Sequence, residues 1–129
     1  MGGRILVVDD EASVLEIFKR VLARQGHRVH ACLSPDEAIG EFARANFDLL
    51  VVDKNLPSMN GFDLLAELRK VDPDLPVILM TASPEPLLAQ TVRLQGYLAK
   101  PFRNLKQITD TVRRVLELSE LWRGRRRVA

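Results

Sequence analysis

The sequence predicts an α/β domain, a parallel sheet flanked by helices, and three observations carry that expectation. Short apolar runs alternate with amphipathic stretches along the whole of its 129 residues. Three runs, Ile5-Leu6-Val7-Val8, Leu49-Leu50-Val51-Val52 and Val77-Ile78-Leu79-Met80, are apolar throughout, as strands covered on both faces are. The first two of these lead directly into acids, Asp9-Asp10 and Asp53, at the edge where open α/β sheets hold their ligands.

The elements follow in order. Residues 4–8 form the first strand. Ser13 is the candidate N-cap of a helix in which Val14, Leu15, Ile17, Phe18, Val21 and Leu22 recur at helical spacing, and Gly26 closes it. Residues 29–33 read as a short strand. Ser34-Pro35-Asp36-Glu37 combines a cap, a proline at the first helical position and acids in the first turn, with Ala38, Ile39, Phe42 and Ala43 as the expected buried stripe. The third strand spans 48–52, and the chain turns at Pro57-Ser58-Met59-Asn60-Gly61.

Gly61 begins a helix with Phe62, Leu64, Leu65 and Leu68 on its apolar side, ending near Val71 before the turn residues Asp72-Pro73-Asp74. The fourth strand is 76–80, with Thr81-Ala82-Ser83 at its end. Pro84 and Pro86 leave room for about two or three helical turns over 87–94, so this is expected to be the least regular helix. Residues 96–99 form a fifth strand, followed by Lys100-Pro101-Phe102. A last helix from Asn104 to about Trp122 would pack through Leu105, Ile108, Val112, Val115, Leu116 and Leu118.

Composition narrows the class. The chain suits one domain, and 47% hydrophobic with 28% charged residues is ordinary for a globular protein. No apolar run approaches the roughly 20 residues that span a bilayer, and Met1-Gly2-Gly3-Arg4 lacks a secretory pattern, so a cytoplasmic location is expected. The single cysteine, Cys32, excludes an internal disulfide and reads as a small buried side chain. The net charge of +2 is local: without Arg123, Arg125, Arg126 and Arg127 there are 15 basic against 17 acidic residues. The body is mildly acidic, and the basic end is read as a solvated tail or linker start; direct nucleic-acid binding is not expected.

Asp9, Asp10, Asp53, Thr81 and Lys100 all fall at strand C-termini, hence at one edge. Clustered carboxylates repel unless a cation neutralises them. Oxygen ligands without His or Cys suit Mg²⁺, and His27 and His30 lack ligand spacing and read as surface residues. An aspartate can attack phosphorus to form an acyl phosphate, with metal and ammonium neutralising the transferred group. Asp53 is the candidate nucleophile, Lys100 the candidate phosphate counter-ion and Thr81 a hydroxyl donor. Lys100-Pro101 is a candidate cis peptide.

Ile-Leu-Val-Val-Asp-Asp-Glu at 5–11, Asp53 with Leu-Pro-x-Met-x-Gly at 56–61, Thr-Ala at 81–82 and Lys-Pro-Phe at 100–102 resemble the CheY-like receiver domain of two-component response regulators. The resemblance covers nearly the whole chain, with all four motifs in the family's order. It implies a five-stranded, flavodoxin-like sheet of order 2-1-3-4-5, with a receiver domain over 3–121 and a basic tail or linker start over 122–129. It implies that Asp53 accepts a phosphoryl group from the phosphohistidine of a histidine kinase or phosphotransfer protein. Mg²⁺ would be held by Asp10, Asp53 and the backbone carbonyl of Asn55, with Asp9 acting through a water. Lys100 would pair with the phosphate, Thr81 would move toward it, and Tyr97 would be the switch aromatic. An output domain or partner would use the face of the helix over 87–94, the fifth strand and the last helix. The segment between Thr81 and Lys100 is a few residues shorter than the family's usual one and lacks its Gly-Ala.

Three other readings compete. A phosphohydrolase working through an aspartyl phosphate would carry a second acid two residues after the nucleophile, where Asn55 stands. A binding module without phosphorylation would not need the full Asp/Asp/Asp/Thr/Lys set. DNA binding by the chain itself has only the Arg-rich end to recommend it.

Overall fold

A computed structural model describes residues 2–82 and 93–128. Five parallel strands, β1 (Arg4–Val8), β2 (Arg28–Cys32), β3 (Leu49–Asp53), β4 (Val77–Thr81) and β5 (Gly96–Ala99), lie in the order β2-β1-β3-β4-β5. The helices are α1 (Ala12–Arg24), α2 (Pro35–Arg44), α3 (Gly61–Arg69) and α4 (Leu105–Val128). Val8 pairs with Val52, Asp53 with Met80 and Thr81 with Ala99, so the acid-bearing strand ends finish level.

Strand side chains alternate between faces, and the core is therefore double. Ile5, Val7, Leu49, Val51, Ile78 and Met80 pack with Phe18 and Leu22 of α1 and Ile108 and Val112 of α4. Leu6, Val8, Leu50, Val52 and Val77 pack with Phe42 of α2 and Leu64 and Leu68 of α3. Coverage on both faces explains the unbroken apolar runs. Each fully buried branched side chain contributes roughly 1.5–3 kcal/mol relative to exposure.

Local signals set most helix ends. Ser34 Oγ accepts the Glu37 N–H at 3.2 Å and Pro35 opens α2, as expected. The Asn60 side chain caps α3 by accepting the Asp63 N–H at 2.9 Å. Gly26, with φ +85°, follows α1 in the left-handed conformation a glycine adopts freely.

Four expectations need correction. Ser13 lies inside α1, whose N-cap is Glu11: the Asp9 carboxylate accepts the Glu11 N–H at 2.8 Å and turns the chain into the helix earlier. Ile39 and Ala43 are exposed, because a shallow cleft of about 520 Å³ separates the ends of α2 and α3 there. Leu105 and Leu118 are 50% and 63% exposed, since α4 buries the row Ile108, Val112, Val115 and Ser119 instead. The last helix does not stop near Trp122 but runs to Val128, consistent with the high helix propensity of an arginine-rich sequence. The expected irregular helix over 87–94 lies outside the described residues, apart from its last two positions.

Candidate functional site at the acidic edge

Asp53 is the last residue of β3 and is only 7% exposed. Its Oδ1 accepts the Asn55 N–H at 3.1 Å, and its Oδ2 accepts from Lys100 Nζ at 2.9 Å. Gly61 makes this turn possible, because a Cβ there would stand 2.5 Å from the Asp53 carbonyl oxygen. Asp9 directly follows β1 and is fully buried. Its N–H donates to the Cys32 carbonyl at 3.1 Å, and its Oδ2 accepts from Lys100 Nζ at 2.6 Å.

Lys100 thus bridges carboxylates that are 91 and 47 residues away in sequence. Its own N–H extends the β4–β5 ladder by donating to the Thr81 carbonyl at 3.0 Å, and the Lys100–Pro101 bond is cis, as expected. Oxygens of Asp9, Asp10, Glu11 and Asp53 all come within 4.8 Å of one another, with Asp10 and Glu11 exposed to solvent. Glu11 also lies 3.5 Å from Lys100.

The electrostatics follow from burial and charge together. Burial pushes the Asp9 carboxyl above its ordinary range, and the Lys100 ammonium opposes this without cancelling it. Burial alone would lower Lys100, but its bonds to Asp9 and Asp53 outweigh that and hold it above the usual lysine value. Lys100 is therefore a permanent cation at neutral pH. One ammonium cannot balance four carboxylates, and an all-oxygen donor set opening to solvent through Asp10 and Glu11 fits a hard divalent cation.

The expected site residues come together unevenly. Asp9, Asp10, Asp53 and Lys100 form one cluster. Thr81 is buried at the end of β4, one position beyond the Asp53–Met80 pair. Tyr97 pairs with Leu79 in β5, half-buried against the α2–α3 side of the core. The Asn55 backbone binds the Asp53 carboxylate while the residue is largely exposed. Glu11 and Gly61 were given no role at the site from sequence; the signal for Glu11 was its place in the Asp9-Asp10-Glu11 run.

His27 and His30, expected on the surface, are half-buried and partnered. His27 Nδ1 accepts the Gly3 N–H at 2.9 Å, and His30 Nδ1 lies 3.3 Å from Glu41 and edge-on to Phe47. Neither belongs to the acid cluster. Cys32 is buried as expected, and burial pushes its thiol up to about 11. Among the described residues no helix is long and apolar enough to cross a membrane.

A parallel sheet of this order, with acids and a lysine converging at its C-terminal edge, defines a CheY-like flavodoxin fold. The chain belongs to the response regulator receiver domain family, which its residues 5–113 match. It is 38% identical over 118 residues to the two-component response regulator ARR14 of Arabidopsis thaliana, covering 86% of this chain and 31% of that protein. It is 37% identical over 118 residues to the sensor kinase CckA of Brucella abortus, covering 88% of this chain and 12% of that one. The chemotaxis protein CheY4 of Vibrio cholerae superposes with a TM-score of 0.82 at 28% identity, over 89% of this chain and 99% of that one. NtrX of Brucella abortus superposes with a TM-score of 0.89 at 26% identity, over 100% of this chain and 30% of that one. The chain thus spans less than a third of ARR14 and about an eighth of CckA.

Proposed function

We propose that this receiver domain accepts a phosphoryl group on Asp53 from the phosphohistidine of a histidine kinase or phosphotransfer protein, in a Mg²⁺-dependent reaction in the cytoplasm, and changes conformation in response. The observation that carries this reading is the Lys100 ammonium bridging Asp9 and Asp53 while the Asn55 N–H fixes the other Asp53 oxygen.

An Asp53 carboxylate oxygen forms the new P–O bond as the donor's P–N bond breaks. The imidazole nitrogen keeps that bond's electron pair and is protonated. Lys100 pairs with a phosphoryl oxygen, and the Asn55 N–H stands beside the same carboxylate to donate to another. Asp10, Asp53, the Asn55 carbonyl and, through a water, Asp9 would hold Mg²⁺. When bound, that ion neutralises charge on the transferred group. A cleft of about 640 Å³ beside Lys100, bordered by Val14, Ile17, Phe102 and Leu105, offers a donor protein an approach to the site.

Thr81 and Tyr97 act as the switch pair, each on a strand adjoining the site. The receiver unit covers 3–121, and 122–129 is a basic tail or linker start; β5 and the last helix form part of the output face. A hydrolase reading is weaker because the position two residues after Asp53 is Asn55, which supplies no acid.

The test is incubation with a small phosphodonor, with and without Mg²⁺. Acid-stable, base-labile label on the wild type and none on Asp53→Asn is expected. Equal labelling of both proteins, or labelling indifferent to chelator, would refute the assignment.

A further inference from the structure

The edge of the sheet opposite the acid cluster is organised around a single turn, residues 72–75. Three guanidinium groups from three parts of the chain converge on it. Arg69, at the end of α3, donates through Nε and Nη2 to the Leu75 carbonyl at 3.2 and 2.9 Å. Arg93, where the chain returns toward β5, donates to the Pro73 carbonyl at 3.1 Å. Arg123, far along α4, donates to Asp72 Oδ2 at 2.6 Å, with these two side chains only 16% and 30% exposed.

The turn is firmly closed, Asp72 N–H donating to Leu68 O at 3.0 Å and Leu75 N–H to Asp72 O at 3.1 Å. Arg69 also donates to the Arg93 carbonyl at 2.9 Å and to Gln95 Oε1 at 3.3 Å, and that same oxygen accepts the Val77 N–H at 2.8 Å. Arg93 has φ +54°, a left-handed conformation uncommon for a non-glycine residue, which persists where the surroundings over-determine it. At the other arm, Arg123 Nε is buried without a hydrogen-bond partner, while its Nη2 meets Asp72.

We propose that the 72–75 turn is a mechanical junction between the chain entering β5 and the far end of α4, so that a displacement at Arg93 is felt at Arg123. Pro73 and Asp72 are adjacent in this closed turn, so the Arg93 bond to one and the Arg123 bond to the other act on a single unit, and a shift of that unit at Pro73 displaces the Asp72 carboxylate that holds Arg123. The coupling runs equally in reverse, as any free-energy coupling does. It links the chain entering β5 at Arg93 to the end of α4 along the edge opposite the acids, and it needs no phosphorylation of Asp53.

The experiment is amide hydrogen exchange on the full, unphosphorylated chain. Arg93→Gly keeps the left-handed backbone accessible while deleting the guanidinium. Exchange over 114–128 should rise roughly three- to tenfold, the loss expected for a hydrogen bond or two. Asp72→Asn should do the same, and the double variant should exchange no faster than Asp72→Asn alone. Faster exchange confined to 93–96, or strictly additive effects, would overturn the junction. So would a uniform rise that includes β1 and β3, since that reports global destabilisation.

Discussion

The two edges of the sheet handle charge in opposite ways. At the acidic edge one ammonium faces four carboxylates, two of them open to solvent, so the site is left short of positive charge. At the opposite edge Arg69 and Arg93 are bonded to main-chain carbonyls and Arg123 to a single carboxylate. There, burial and the nearby Arg93 charge lower the Arg69 guanidinium, yet its fork of donors is filled by backbone and amide oxygens. An edge built mainly from guanidinium–carbonyl bonds, with only Arg123 Nε left unbonded among the described buried side-chain atoms, holds elements in place. An edge with surplus carboxylate has a set of oxygens that could hold a cation. The contrast separates structure from chemistry within one sheet.

The largest expected effect breaks the acidic edge. Lys100→Met leaves Asp9 and Asp53 facing each other without their cation, at a cost on the order of 3 kcal/mol. Denaturant titration in chelator reads this, and the Asp9 carboxyl should titrate still higher by NMR. A variant as stable as the wild type would mean that Lys100 does not balance these acids. Next comes Gly61→Ala, whose Cβ would collide with the Asp53 main chain rather than a flexible side chain. A loss of about 1–3 kcal/mol is expected. An unchanged melting temperature would show that the β3–α3 turn has slack that the geometry does not suggest.

The smallest effect sharpens the opposite edge. Burial lowers His27 from its ordinary value of 6.5, against the pull of Asp48. The unfolded chain therefore takes up this proton first, so the contribution to stability is complete above 6.5 and is lost as pH falls from there through the lower folded value. Protonation also removes the Nδ1 lone pair that accepts the Gly3 N–H. The loss is about 1 kcal/mol. The slope of stability against pH in this range should flatten in His27→Gln; an identical slope in both proteins would remove His27 as its source.

Legibility in the sequence followed the range of the interaction responsible. Strand positions came through to within a residue, since burial on both faces writes itself into consecutive residues such as 49–52. The Ser34 cap and the Gly26 stop were equally visible, being contacts within one helical turn. The expectation failed at Ser13, because the Asp9 side chain at a strand end, not a hydroxyl, decides where α1 begins. It failed at Ile39, Ala43, Leu105 and Leu118 because periodicity identifies an apolar stripe but not whether a neighbour covers all of it.

The candidate site divides in the same way. That Asp9, Asp10, Asp53, Thr81 and Lys100 lie at one edge was settled by sequence, since each sits at the end of a parallel strand. That Lys100 touches both Asp9 and Asp53, and that Glu11 joins them, was decided by the order and register of β1, β3 and β5. The meeting of Arg69, Arg93 and Arg123 on one turn had no sequence signal at all. A strand or a cap is selected by the residues beside it, whereas a charge finds a partner 47 to 91 residues away only after the sheet has brought the two together.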